Sequence, residues 1–366
     1  MHRRLLTTKV LIPTSGLVVA TAIYNTEEEE IVKPEGWDKI KTLKITKQSN
    51  FHPPQNPIIL CHGLSGFSSL QIIPSFQQIK LLITNTIIKS TSLTDKEPLH
   101  AILSVDYWHG IKQKLESNGC KVYIAKVAPY GSIAQRAKLL NKYINHICEE
   151  NNFEKVNLVA HSMGGLDCRY LISAIPKEEK KYTVCSLTTI STPHHGSVVA
   201  DYFLYKLNLD RFVSDDGTVR IIPPAFGQLT TNYLTKFNEK YQKDDDVNYY
   251  SYGAYFWPNW YNFFYLTWKI IFNSSNNLED RMNDGLVSIR SSKYGEYLGT
   301  LKNADHLTLI NWLDLSKKMK MDSWFSSEDV LQTTSSNKIV DKDNADDLDI
   351  LDFYVKICDD LGKRGL

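Results

Sequence analysis

Ser162 is the residue of this chain with the clearest chemical use. It stands in Val156-Asn157-Leu158-Val159-Ala160-His161-Ser162-Met163-Gly164-Gly165. There an apolar run enters a small-residue turn, and a helical pattern from Leu166 to Ile175 follows. That setting is a nucleophile elbow, in which a tight strand-to-helix turn lifts a serine hydroxyl above a buried sheet. A hydroxyl is a weak nucleophile. It needs a histidine to take its proton and a carboxylate to orient that histidine.

Around an elbow of this kind the partners follow in the order serine, acid, histidine. Asn283-Asp284-Gly285-Leu286-Val287-Ser288 places Asp284 in a turn before an apolar pair, and Asp305-His306-Leu307 lies further on. Asp284 is the expected orienting acid and His306 the expected base. His306 would accept the Ser162 proton during attack and return it to the leaving alkoxide. A plain β-turn at Asp284-Gly285 is the structural alternative. Asp305 competes for the acid role, although neighbouring side chains diverge. His100, His109, His194 and His195 are alternative bases, but they precede Asp284 in the chain. A tetrahedral oxyanion needs backbone N–H donors. Met163, next to the serine, supplies one, and Leu64 in His62-Gly63-Leu64-Ser65-Gly66-Phe67 the other. His62 reads as a brace for that loop.

The elements that must position these groups alternate. Strands are expected at Pro57–Cys61, Lys121–Val127, Val156–Ala160, Cys185–Ile190 and Val247–Tyr255. Helices are expected at Trp108–Ser117, Ser132–Glu149 and Leu348–Leu361, the last amphipathic. The alternation predicts an α/β fold, a mostly parallel sheet with helices on both faces. Residues 68–106 form an insertion, 203–246 a lid or cap insertion, and 324–347 a polar, mobile loop. The expected division is a targeting segment (1–26), a linker (27–56) and one catalytic domain (57–366).

The 366 residues are 42% hydrophobic and 23% charged, ordinary for a globular chain. A net charge of +1 gives no footprint for nucleic acid. The six cysteines, Cys61, Cys120, Cys148, Cys168, Cys185 and Cys358, are too scattered for a disulfide framework or a zinc site. No acidic residue occurs before Glu27, whereas His2, Arg3, Arg4 and Lys9 are basic and Val10–Tyr24 is mostly apolar. A mitochondrial presequence has that composition. A secretory signal is the rival, with Ala20-Thr21-Ala22 as a cleavage-like site.

Six motifs occur in order along the chain. They are His62-Gly63-Leu64, Tyr107-Trp108-His109-Gly110-Ile111, Val156 to Tyr170, Thr192-Pro193-His194-His195-Gly196-Ser197, Asn283 to Ser288, and His306-Leu307. This set resembles the Pseudomonas- and Burkholderia-type bacterial triacylglycerol lipases, which are α/β-hydrolases, and most of all their fungal mitochondrial relatives. The resemblance implies a triad of Ser162, Asp284 and His306, an oxyanion hole of Leu64 and Met163, and a lipid ester substrate. It departs in places. Ala160 stands where a glycine is commoner. The family's calcium ligands fall on Thr308 and Trp312, so no metal or other cofactor is expected. Arg290 occupies the place of one cysteine of the bacterial disulfide, and residues 68–106 have no bacterial counterpart.

An ester hydrolase for insoluble substrate needs an apolar surface to meet a membrane or droplet. Two stretches qualify. One is 203–246, with Phe226, Leu229, Tyr233, Leu234 and Phe237 at near-helical spacing. The other is the aromatic run Tyr255–Trp268, which includes Trp257 and Trp260, and core packing is its plain alternative. The expected activity is hydrolysis of triacylglycerol or diacylglycerol through an acyl-enzyme, releasing fatty acid. No nucleic-acid or obligate protein partner is expected. A phospholipase or acyltransferase would use the same triad, because specificity lies in the pocket. A catalytically silent lipid-binding scaffold is the reading from another class.

Overall fold

The computed structural model describes residues 32–46, 50–64, 107–218, 222–259, 262–312 and 348–366. The expected targeting segment 1–26, insertion 68–106, loop 324–347 and Trp260 lie outside them.

Six strands form one all-parallel sheet: β1 (Ile58–Cys61), β2 (Val122–Ala125), β3 (Lys155–His161), β4 (Thr183–Ile190), β5 (Asn248–Tyr255) and β6 (Glu296–Lys302), in the order β2-β1-β3-β4-β5-β6. A parallel sheet is covered on both faces, so its central strands are apolar throughout. β1 is the plainest case, with Ile58, Ile59 and Leu60 fully buried. Period-two alternation then splits the core. Ile58, Leu60, Val122 and Val159 meet α1 (Ile111–Ser117) and α7 (Ile350–Lys363). Ile59, Cys61, Leu158 and Ala160 meet α2 (Ile133–Asn151) and α3 (Gly164–Ala174).

The longer of the remaining helices among the described residues are α4 (Val198–Lys206), α5 (Thr231–Lys240) and α6 (Tyr265–Phe272). Among the described residues, no helix is long and apolar enough to cross a membrane. α2 begins on a capping box between Ser132 and Gln135. α7 begins on Asp349, whose carboxylate accepts from the N–H groups of Leu351 and Asp352. α7 buries Phe353, Tyr354, Ile357 and Leu361, each worth about 1.5–3 kcal/mol. Its Tyr354 hydroxyl donates to the carbonyl of Leu309, just beyond His306.

Several elements differ from the sequence expectation: α1 starts at Ile111 rather than Trp108, and β4 at Thr183 rather than Cys185. β2 is shorter than Lys121–Val127. β6 was not foreseen, because Gly299 interrupts it and most of it is only partly buried. It is held from outside by the Leu43 N–H, which donates to the Thr300 carbonyl.

The order has one reversal. The chain leaves β1 for β2 on one side and returns to β3 on the other. Open parallel sheets bind ligands beyond the carboxyl ends of the strands at such a switch point. His62-Gly63-Leu64 follows β1, and Ser162 follows β3.

Candidate active site

Ser162 has φ of 56°, the left-handed conformation that an L-residue rarely adopts. The turn holds it there by close packing. A Cβ on Gly164 would lie 2.5 Å from the Cys61 carbonyl oxygen, and one on Gly165 would lie 2.3 Å from Thr192 Oγ1. Only glycine lets α3 start this close to β1. The Thr192 hydroxyl in turn donates to the Ser162 carbonyl at 2.7 Å. Ala160 is fully buried in the sheet, so alanine fits the position.

Met163 is the N-cap of α3, where the N–H groups have no intrahelical acceptor and the helix dipole favours an anion. Its side chain is sealed beneath Ile133, Leu166, Leu234 and Phe237. Leu64, partly buried, packs on the same cluster. A Cβ on Gly63 would come within 2.7 Å of Ser162 Cβ, so the loop after β1 lies directly against the serine.

His62 is a brace, as expected. Its Nδ1 bonds the Gly63 carbonyl at 2.9 Å, and its Nε2 accepts from the Val127 N–H at 3.2 Å. Burial, helped by the Arg136 charge, lowers its pKa to about 3, so the ring is neutral.

Asp284 and His306, 22 residues apart, meet at 2.7 Å between Oδ2 and Nδ1. The His306 N–H also donates to the Asp284 carbonyl at 2.9 Å. Asp284 is fully buried and His306 nearly so. The turn at Asp284 exists as well: its N–H donates to the Val287 carbonyl, and its Oδ1 accepts from the Leu286 and Val287 N–H groups. One oxygen therefore builds the turn and the other meets the imidazole. Gly285, at φ 99°, lets Phe264 pack onto this turn. Asp305 turns elsewhere: its Oδ1 accepts from the N–H groups of Leu307 and Thr308 and from the Thr308 hydroxyl. His194 is buried and gives its ring to Thr189, Arg169 and Tyr294. Among the described residues, no group of three or more His, Cys, Asp or Glu is placed to hold a metal.

Sequence reasoning missed three supports. The Arg136 guanidinium, fully buried, donates to the carbonyls of His62, Gly63 and Ala128 and to Asp167 Oδ2. Burial outweighs that cation and raises the Asp167 carboxyl to about 6. The signal was present: Arg136 falls on the apolar stripe Ile133, Ala137, Leu140 of α2. Tyr107 and His161, quoted above only as motif letters, bond each other beneath the site at 2.7 Å.

The expected lipid-facing residues are partly corrected. Leu234 and Phe237 are buried under Met163, because α5 turns its apolar face inward. Trp257 is half-buried among Trp37, Trp268 and Phe272. Within the same two stretches the exposed apolar residues are Phe203, Tyr205, Leu207, Phe212 and Phe226 in the first, and Phe263 and Leu266 in the second.

Comparisons agree with this architecture. Residues 56–221 match the family described as alpha/beta hydrolase fold. Triacylglycerol lipase 2 of Saccharomyces cerevisiae is 43% identical over 331 residues, covering 86% of this chain and 94% of that protein. A triacylglycerol lipase of Vibrio cholerae is 26% identical over 299 residues, covering 73% and 83%. The solved Bacillus licheniformis lipase BlEst2 in mature form matches with a TM-score of 0.49 at 18% identity, covering 77% of this chain and 96% of that one. The extent of the yeast match, on a six-stranded parallel sheet with its serine turn at the switch point, places this chain among the triacylglycerol lipases of the α/β-hydrolase fold.

Proposed function

We propose that this lipase cleaves triacylglycerol and diacylglycerol by a Ser162–His306–Asp284 triad. The observation that carries the reading is the 2.7 Å contact of Asp284 with His306, whose ring lies 4.5 Å from that of His161, the neighbour of Ser162. Ser162 Oγ attacks the ester carbonyl while His306 Nε2 takes its proton. The Met163 and Leu64 N–H groups receive the oxyanion. His306 then protonates the departing glycerol oxygen, leaving an acyl-serine. Water, deprotonated by His306, attacks the acyl-serine, and His306 returns that proton to Ser162 Oγ as the fatty acid leaves. Asp284 holds the Nδ1 proton throughout, so Nε2 remains the working nitrogen.

The exposed residues of α4, the following turn and the start of α6 are the surface proposed to meet lipid. α4 is apolar nearly all round, burying Val199 and Leu204 and leaving Phe203 and Tyr205 exposed. It packs beside α6, and Phe264 at the N-cap of α6 lies against Gly285, next to Asp284. Apolar side chains this exposed beside a site mark a surface that something apolar covers.

The reading includes no calcium. Thr308, which replaces an acidic ligand of the family, spends its hydroxyl on Asp305. The basic, acid-free residues 1–26 further suggest mitochondrial delivery, which a reporter fused to them tests by import.

The full chain assayed on emulsified long-chain triacylglycerol, diacylglycerol and phospholipid tests the function. Release of fatty acid from the neutral glycerides is expected, lost in Ser162→Ala and unchanged in chelator. Activity surviving Ser162→Ala removes the mechanism, and loss in chelator reverses the metal reading. A phospholipid preference reassigns the substrate.

A further inference from the structure

The Gly63 N–H donates to the Tyr107 hydroxyl oxygen at 2.9 Å, and that hydroxyl lies 2.7 Å from His161 Nδ1. With one lone pair taken by Gly63, the phenol proton is free to go to Nδ1. Nδ1 is then the acceptor, and the ring proton sits on Nε2. His161 is sealed from solvent, and its Nε2 has no hydrogen-bond partner among the described residues. Its ring lies 4.5 Å from the His306 ring, tilted by 44°. Gly63 in turn touches Ser162. One phenol hydroxyl thus contacts the loop that carries Leu64 and, through one imidazole, the residue read as the base.

We propose that Tyr107 and His161 are positioning residues that join the oxyanion loop to His306. The proposal rests on the reading of His306 as the base. During attack, negative charge grows beside Leu64 and Met163 while positive charge grows on His306. Loop and imidazole must therefore be in register at one moment, and displacements of about 1 Å in such sites have large rate costs. His161 serves only as a neutral ring, because a cation there would repel the His306 imidazolium. Burial and then the His306 charge hold its pKa well below the ordinary histidine value. Burial keeps Tyr107 un-ionised. The other titratable groups facing this chain are His62 after β1, Arg136 from α2, Tyr354 from α7 and Asp284 across His306.

The test uses the full chain and a soluble short-chain ester, with active sites counted by the end point of a covalent phosphonate label. Tyr107→Phe removes only the hydroxyl. His161→Asn keeps an acceptor near Nδ1 but vacates the edge facing His306. Each is expected to lower kcat per labelled site about tenfold while KM stays within about twofold. The double variant is expected to lose less than the product of the two, since both act along one path. An unchanged kcat per labelled site in Tyr107→Phe, a change in KM alone, or fully multiplicative losses would overturn the proposal. If His161→Asn does not fold, His161→Gln, which reaches the Nε2 position, takes its place in the cycle. His306→Ala separates the two readings. Wild-type activity in that variant removes the catalytic assignment itself. Inactivity there, with normal turnover in Tyr107→Phe, removes only the positioning role.

Discussion

The carboxylate of Asp284 gives one oxygen to its own turn and the other to His306. Oδ1 accepts the Val287 N–H at 2.8 Å, and Oδ2 lies 2.7 Å from Nδ1 of the imidazole. Asp284→Asn keeps an oxygen for the turn but loses the charge that fixes the tautomer, so kcat is expected to fall by about 10⁴. Asp305→Asn disturbs only the turn at Thr308. It is expected to cost about 1 kcal/mol of stability and to leave kcat within about threefold. Kinetics of the two purified variants decide the point. Equal losses in both would show that the neighbouring aspartate shares the work.

Arg136 links stability to the loop after β1 in a way that two variants separate. Its guanidinium is fully buried against Asp167 and holds the His62 and Gly63 carbonyls. Arg136→Met strands a buried carboxylate and is expected to destabilise by about 3–5 kcal/mol. Adding Asp167→Leu removes that stranded group and should restore most of the stability measured in urea. It restores nothing to the two carbonyls, so kcat should remain low. A double variant with full kcat would mean that the loop holds its place without the clip.

Three buried histidines make the fold acid-sensitive. His62 titrates near 3, lowered by burial and then by Arg136. His161 and His194 are also held well below the ordinary value, again chiefly by burial. The unfolded chain binds protons on these rings below about pH 6.5, and the folded chain refuses them. Their contribution is therefore present above about pH 6.5 and lost as pH falls towards each folded value. Asp167 runs the other way. Its folded pKa of about 6 means that folding retains a proton at pH 5 that the unfolded carboxyl releases. The three rings outweigh the carboxyl of Asp167, so stability is expected to fall as pH drops below about 6.5. Thermal melts should fall from pH 7.5 to 5.0. A Tm that is constant or rises would contradict the neutral assignment of these rings.

The turn at Ser162 and the contact of Asp284 with His306 were legible because each depends on local chemistry. Glycines beside Ser162 meet backbone and a threonine that no side chain could clear, and Asp284-Gly285 must turn. Order along the chain then separated His306 from four other histidines. Long-range supports were less legible. Arg136 reaches the loop after β1 from 74 positions away in sequence, and its only local sign is a cation on an apolar stripe. Which helix of residues 203–246 keeps its apolar side chains exposed was less legible for a related reason. α5 has the cleaner amphipathic period, but its apolar face is used to cover Met163. α4 is apolar on nearly every side, so periodicity could not say which side stays outside.

That distinction gives the last prediction. If α4 and the start of α6 meet lipid, Phe203→Ser with Tyr205→Ser should weaken attachment to phospholipid-coated triacylglycerol droplets about tenfold or more, because both side chains lose transfer into the interface. Hydrolysis of a soluble short-chain ester should stay within about twofold, since neither side chain contributes to the Asp284–His306 pair or to the turn at Ser162. Leu234→Ser is the contrasting variant. Leu234 is fully buried beneath Met163, so its replacement should lower stability and activity on both substrates together. Droplet flotation beside soluble-ester kinetics separates the two patterns. If Phe203→Ser with Tyr205→Ser loses both activities in parallel, α4 acts as packing, and the surface that meets lipid lies elsewhere.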